Sequence, residues 1–128
     1  MRCLDAAFLV DLLKGEEAAV RKAKELEASG EHLSIAAPAL AEVLVGANFQ
    51  GGRNLSKTWE ILSAFEVLDV DATVAAEAGR MGAELLRRGE AIATLDLLIA
   101  AAAKVHQQIL VTRDVAFSRI PGLAVEAY

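Results

Sequence analysis

The sequence predicts an α/β protein: a mostly parallel sheet covered by helices on both faces. Two observations lead there. Short runs of strand length alternate along the chain with longer stretches of helical spacing. The composition, 55% hydrophobic and 24% charged, is that of a packed chain rather than a disordered one.

Arg2–Asp5 reads as the first strand, followed by a helix through Ala7–Leu13 that ends at Gly15. Glu16–Ser29 forms a second helix with Ala19, Ala23 and Leu26 inward, acidic residues in its first turn and a stop at Gly30. His32–Ala36 is the second strand. Pro38 suits the first turn of the next helix, which carries Leu40, Val43, Leu44 and Ala47. Phe49–Ser56, with two adjacent glycines, reads as the clearest loop, after which Leu55, Trp59, Leu62 and Phe65 have helical spacing. Val67–Val70 is the third strand and Asp71 a helix N-cap. The helix that follows places Val74, Ala78, Met81 and Leu85 on one face and closes at Arg87-Arg88-Gly89. Thr94 opens another, running to about His106. Ile109–Thr112 is the fourth strand and Leu123–Glu126 a short last one. No repeat, low-complexity tract or linker divides the chain. Residues 1–128 therefore read as a single domain, long enough to bury roughly two-thirds of its unfolded surface.

No apolar stretch reaches the ~18 residues of a membrane span. Arg2 ahead of an apolar segment imitates a signal peptide, but Asp5 and Asp11 interrupt the segment and no small-residue cleavage site follows. The single Cys3 cannot form an internal disulfide and reads as a small buried residue in a reducing cytoplasm.

Two carboxylates stand where a folded chain should tolerate them least. From Ile35 to Ala47 the only polar side chain is Glu42, and from Ala91 to Ala103 only Thr94 and Asp96 are polar. Runs this apolar are expected to be buried, and a buried ionised carboxylate is costly unless its charge is compensated. Neither run holds a Lys or Arg. In a parallel sheet the functional crevice lies beyond the C-terminal strand ends. Asp5 ends the first strand, Asp114 follows the fourth, Glu42 lies about one turn into the helix after the second, and Asp96 in the first turn of the helix before the fourth. All four acids fall at one edge.

Each acid also has a plainer explanation. Asp5 can cap the first helix, Asp96 can complement a helix dipole, Asp114 can serve a turn, and Glu42 can pair with Arg113 or Lys14. Jointly they favour a cation, because clustered like charges need one. The net charge of −5 is compatible: setting four metal-bound acids aside leaves −1. An all-carboxylate donor set without clustered His or Cys suits Mg²⁺ or Mn²⁺ rather than Zn²⁺; His32 and His106 are far apart in sequence. Phosphodiester hydrolysis is the natural reaction of such a site.

These residues carry a family resemblance over essentially the whole chain. LDAAFLVDLLKG, PALAEVLVGA, LDLLIAAAA and LVTRDVAFSRIPGL, in that order, resemble a PIN domain, and most of all the VapC toxins of type II toxin–antitoxin systems. The resemblance implies a three-layer α/β/α fold with a central parallel sheet of about five strands. It implies a Mg²⁺-dependent endoribonuclease, usually a homodimer, held inactive by a cognate VapB-like antitoxin. The family's acids map onto Asp5, Glu42, Asp96 and Asp114, with Thr112 in the place of a supporting Ser/Thr. Two positions depart: Ala6 stands where the family usually has Thr or Ser, and Ala116 where many relatives have a second late Asp.

In this reading Asp5 and Asp96 are the principal metal ligands, Glu42 positions the metal or the attacking water, and Asp114 completes the site. Cleavage would leave 5′-phosphate and 3′-hydroxyl ends. Arg113 and Lys14 are the basic candidates for RNA contact, followed by Arg53 and Lys57, for which solvated surface charge explains as much. Gly79 and Gly82 mark close packing, at a dimer contact among other places, and Trp59 core or interface. Two other readings stand beside this one, a non-catalytic interaction protein of the same fold and a housekeeping RNA-processing nuclease without an antitoxin; a receiver-type signalling domain has only Asp69 to imitate its phospho-acceptor and lacks the acidic pair and the late Lys it needs.

Overall fold

The computed structural model describes residues 1–128. Strands β1 (Arg2–Leu4), β2 (Leu33–Ala36), β3 (Glu66–Leu68), β4 (Ile109–Val111) and β5 (Val125–Glu126) form one sheet in the order β3-β2-β1-β4-β5. Every pairing is parallel. The connections are α1 (Ala6–Leu13) and α2 (Glu17–Ala28), α3 (Ala37–Gln50) and α4 (Gly52–Leu62), then α5 (Ala72–Arg87) and α6 (Thr94–Val105). A short 3-10 turn, Val115–Arg119, leads from β4 toward β5. Helices cover both faces, giving the expected three layers.

The strand order decides between two expectations. A receiver domain has the order 2-1-3-4-5. Here the chain winds outward from β1 through β2 to β3, then returns to the other side of β1, so the winding reverses between β1 and β4. Leu4 pairs with Ile35 on one side and Val111 on the other, which sets Asp5 and Thr112 side by side one residue further on. That reversal is where α/β sheets open a crevice.

The core explains why the apolar runs are where they are. Ile99 to Ala103 are all fully buried, so α6 is enclosed all round. Alanines at four of these five positions allow it, because small side chains let neighbouring elements approach from every side. Phe8 and Leu9 of α1 and Met81 and Leu85 of α5 complete the packing with Leu4, Ile35, Leu110 and Val111 of the sheet. No helix is long and apolar enough to cross a membrane. Asp71 caps α5 as expected, accepting from the Val74 N–H at 3.0 Å.

Three expectations fail locally. Phe49–Ser56 is not a loop: α3 continues to Gln50 and α4 begins at Gly52. Gly51 and Gly52, at φ 65° and 54°, compress the reversal into two residues, a conformation open to glycine. The second departure is partial: Trp59, read as core or interface, is half-exposed, so only the core half of that reading falls. The third is the α3 run, which is not buried throughout. Its inward stripe is Ala39, Val43 and Ala47, and the neighbouring face carries Glu42, Val45 and Phe49 to solvent.

The two α5 glycines differ. A Cβ at Gly82 would lie 2.8 Å from Leu97 Cδ1, whereas one at Gly79 meets nothing within 4 Å. Gly82→Val is expected to destabilise by about 1–3 kcal/mol through overpacking against α6. Gly79→Ala is expected to stabilise by about 0.5–1 kcal/mol by removing backbone freedom from the unfolded chain. Urea unfolding of the two variants checks both, and equal effects would contradict the packing difference.

Candidate active site

Asp5 is the structural centre of the acidic edge. It follows β1, is 5% exposed, and its backbone N–H donates to the Val111 carbonyl at 3.1 Å, fixing it to β4. Its side chain makes no capping bond to α1. Instead the Thr112 hydroxyl donates to Asp5 Oδ2 at 2.8 Å, and the Asp114 N–H donates to the same hydroxyl oxygen at 3.1 Å. Thr112, itself buried, thus ties the ends of β1 and β4 together. This answers the Ala6 departure: Ala6 is buried without a hydroxyl, and Thr112 supplies one from across the sheet.

The other acids approach from their helices and loops. Asp96 lies in the first turn of α6, half-buried and without a hydrogen bond. Asp114 is exposed, and its Oδ1 accepts from the Ala116 N–H at 2.9 Å, so the turn role read from sequence is real and occupies one oxygen. Glu42, expected to be buried, is exposed, because α3 turns its Ala39–Val43–Ala47 stripe inward instead. Nor does Glu42 pair with Arg113 or Lys14. None of the four acids has a basic side chain within ion-pair distance.

Their electrostatics follow from that. Burial raises the Asp5 carboxyl above its ordinary range; the Thr112 hydrogen bond opposes this, and the fields of Asp96 and Asp114 push it further up. Asp96 is raised by burial and then by Asp114. Glu42 is raised by partial desolvation and then by Asp96 and Asp5. Four carboxylates from four chain segments therefore act on one another with no counter-charge.

No three of the acidic, histidine or cysteine side chains converge into a preformed chelating cluster. The donor set still fits a hard divalent cation. It is all oxygen, and no ammonium or guanidinium lies within ion-pair distance of it to compete for the carboxylates. A groove of about 340 Å³ lies elsewhere, between α1, α3 and α4; Lys14 and Lys57 both line it, with Val10, Leu13 and Val43. Arg113 pairs with Asp11, a buried acid the sequence reading passed over because one Asp on a short helix gives no periodic signal.

An open parallel sheet whose point of reversal gathers uncompensated carboxylates defines a class of α/β proteins built around acidic chemistry. The PIN domain model matches residues 2–123, and the chain belongs to the PIN-domain family. It is 32% identical over 126 residues to the tRNA(fMet)-specific endonuclease VapC of Shigella flexneri, covering 96% of this chain and 94% of that protein. It is 34% identical over 105 residues to ribonuclease VapC2 of Rickettsia felis, covering 80% and 78%. The crystal structure of VapBC2 from Rickettsia felis bound to a promoter DNA fragment superimposes with a TM-score of 0.87 at 29% identity, covering 99% of this chain and 98% of that one. Ribonucleases of the PIN family use a divalent metal.

The raised carboxyls make a signed prediction about stability. A folded-state pKa above the unfolded value contributes stability at low pH that is lost as pH rises through the folded value. In EDTA, Asp96→Asn should therefore melt above the wild type at about pH 7, with the gap closing toward about pH 4. A gap independent of pH would contradict mutual repulsion as its cause.

Proposed function

We propose that this chain is a Mg²⁺-dependent endoribonuclease, the toxin of a VapBC-type toxin–antitoxin pair. One observation carries it: a buried Asp5, tied to Thr112, shares the reversal point of the sheet with Asp96, Asp114 and Glu42, and no cationic side chain neutralises them. Relatives matched over nearly the whole chain are named as endonucleases acting on RNA, which supports the same substrate here.

Asp5 and Asp96 would be the principal ligands of the ion, and Asp114, one of whose oxygens accepts from the Ala116 N–H, would complete the site. When bound, a divalent ion supplies positive charge that acidifies water and offsets charge building on the phosphodiester. The chain's own residues do the rest. Thr112 holds Asp5 in one orientation, so the ligand is fixed before substrate arrives. Glu42, exposed at the cleft with a raised carboxyl, orients the attacking water and accepts its proton. In-line attack at phosphorus then forms the new P–O bond as the bond to the 3′-oxygen of the preceding nucleotide breaks; that oxygen takes a proton from solvent, leaving 5′-phosphate and 3′-hydroxyl ends. Arg113 and Lys14, both exposed, are the proposed RNA contacts.

Residues 1–128 act as a single PIN domain in the cytoplasm. Its partners are a VapB-like antitoxin and a second copy of itself. Complexes of the VapBC kind among the structural relatives support the antitoxin. Val45 and Phe49, one turn apart on α3 and 72% and 86% exposed, give an apolar face suited to protein contact.

The test is cleavage of a mixed RNA pool by antitoxin-free protein with Mg²⁺, with Mn²⁺ and with EDTA. Cutting is expected with either metal and none in EDTA. Asp96→Asn should lose at least about a hundredfold in rate, the scale of removing a principal metal ligand. Intact RNA under all conditions, with metal binding retained, would favour the non-catalytic interaction protein instead. Full activity in a protein encoded without an adjacent antitoxin would favour the housekeeping nuclease.

A further inference from the structure

Asp11 is a buried carboxylate that the cleft chemistry does not use. It sits within α1 with its side chain 8% exposed, and two groups from remote parts of the chain converge on one of its oxygens. The Tyr128 hydroxyl donates to Asp11 Oδ2 at 2.6 Å, and the Arg113 guanidinium lies 3.0 Å from the same atom. A buried carboxylate needs a partner, and either group alone would provide one. The arrangement does more: it ties the C-terminal residue and the loop after β4 to a single fixed point on α1.

Arg113 is not consumed by this contact. Its side chain is 59% exposed and Asp11 is its only carboxylate within ion-pair distance, so most of its five N–H donors face solvent. It stands between Thr112, which donates to Asp5, and Asp114, whose N–H donates back to Thr112. The guanidinium lies toward the acidic edge, since Asp11, Arg113 and Asp5 all act on the same Tyr128 hydroxyl.

The anchor itself is rigid. The Tyr128 ring meets Phe8 edge-on, with centroids 4.8 Å apart at 81°. Just before it, Glu126 is gripped by Arg2 at 3.2 Å and Lys22 at 2.9 Å, while its carbonyl accepts from the Thr112 N–H at 3.0 Å. Burial, then the Asp11 hydrogen bond, raise the Tyr128 phenol, and the Asp5 carboxylate is close enough to add to this. Tyr128 thus stays a hydrogen-bond donor at any physiological pH.

We propose that Asp11 and Tyr128 are positioning residues: together they pre-orient Arg113 toward the acidic edge so that its free N–H groups take a phosphate oxygen of bound RNA. The inference rests on the ribonuclease reading above. Its physical basis is that an acidic cleft repels a polyanion, and a guanidinium fixed in advance offsets this with less rotamer freedom left to lose on binding.

The experiment is steady-state cleavage of a single-stranded RNA pool with Mg²⁺ by the full chain, comparing wild type, Arg113→Ala, Tyr128→Phe and the double variant, with melting temperatures alongside. Arg113→Ala should raise KM about tenfold, the scale of one charge-assisted hydrogen bond. It should also lower the slope of log KM against log salt by about 0.7, as for one phosphate contact on a single strand. Tyr128→Phe should raise KM about threefold with kcat near wild type, and add nothing in the Arg113→Ala background. Asp11→Asn, which keeps the volume and loses the ion pair, should follow Tyr128→Phe. Additive effects of Tyr128→Phe and Arg113→Ala, or a Tyr128→Phe effect confined to melting temperature, would overturn the positioning role and leave the nuclease reading intact. A wild type that cuts no RNA would overturn both.

Discussion

The Thr112–Asp5 hydrogen bond is the constraint on which the acidic edge depends. It joins the ends of two parallel strands that lie 107 residues apart in sequence and exist side by side only because the sheet reverses its winding there. Through Thr112 the bond reaches Asp114, and through the parallel pairing of β4 with β5 it reaches the C-terminal segment. A buried carboxylate with a raised pKa is otherwise free to reorient or protonate. Here one hydroxyl fixes its direction while leaving its charge uncompensated. Stability and charge pull in opposite directions at this point, because nothing cationic in the chain neutralises the carboxylate.

The packing around α6 serves the same end. A helix enclosed on all sides needs small residues, and the alanine run from Ala100 to Ala103 provides them. Enclosure sets the rotation of the helix, and rotation sets where Asp96 leaves it. Gly82 on α5 contributes from the other side, since a Cβ there would lie 2.8 Å from Leu97 Cδ1 in its present rotamer. Asp96 is thus positioned by apolar contacts one turn away from it, whereas Asp5 and Asp114 are held by hydrogen bonds.

Much of this was legible in the chain. The alternation of strand-length and helix-length runs gave the α/β order, and the strand ends gave the common edge, since both depend on local periodicity. The Asp71 cap was read correctly because capping is chemistry confined to a few residues. Failures came where burial depends on partners. Glu42 sits in an apolar run that reads as buried, but Val45 and Phe49 beside it face solvent too, and an exposed apolar face has the composition of a core. The Gly51-Gly52 pair looked like a long loop because sequence shows that a chain can turn, not how tightly.

By itself, then, the sequence determined the element order, the acid-rich and cation-poor character of the strand ends, and the membership of the chain in a family of ordered motifs. Those are properties of neighbours along the chain. Tertiary structure alone decided that β4 lies against β1, that Thr112 rather than residue 6 supplies the hydroxyl for Asp5, and that Asp11, Arg113 and Tyr128 meet. Each of these joins residues a hundred or so positions apart. Nothing local encodes such contacts, because they follow from the order in which strands are laid into the sheet.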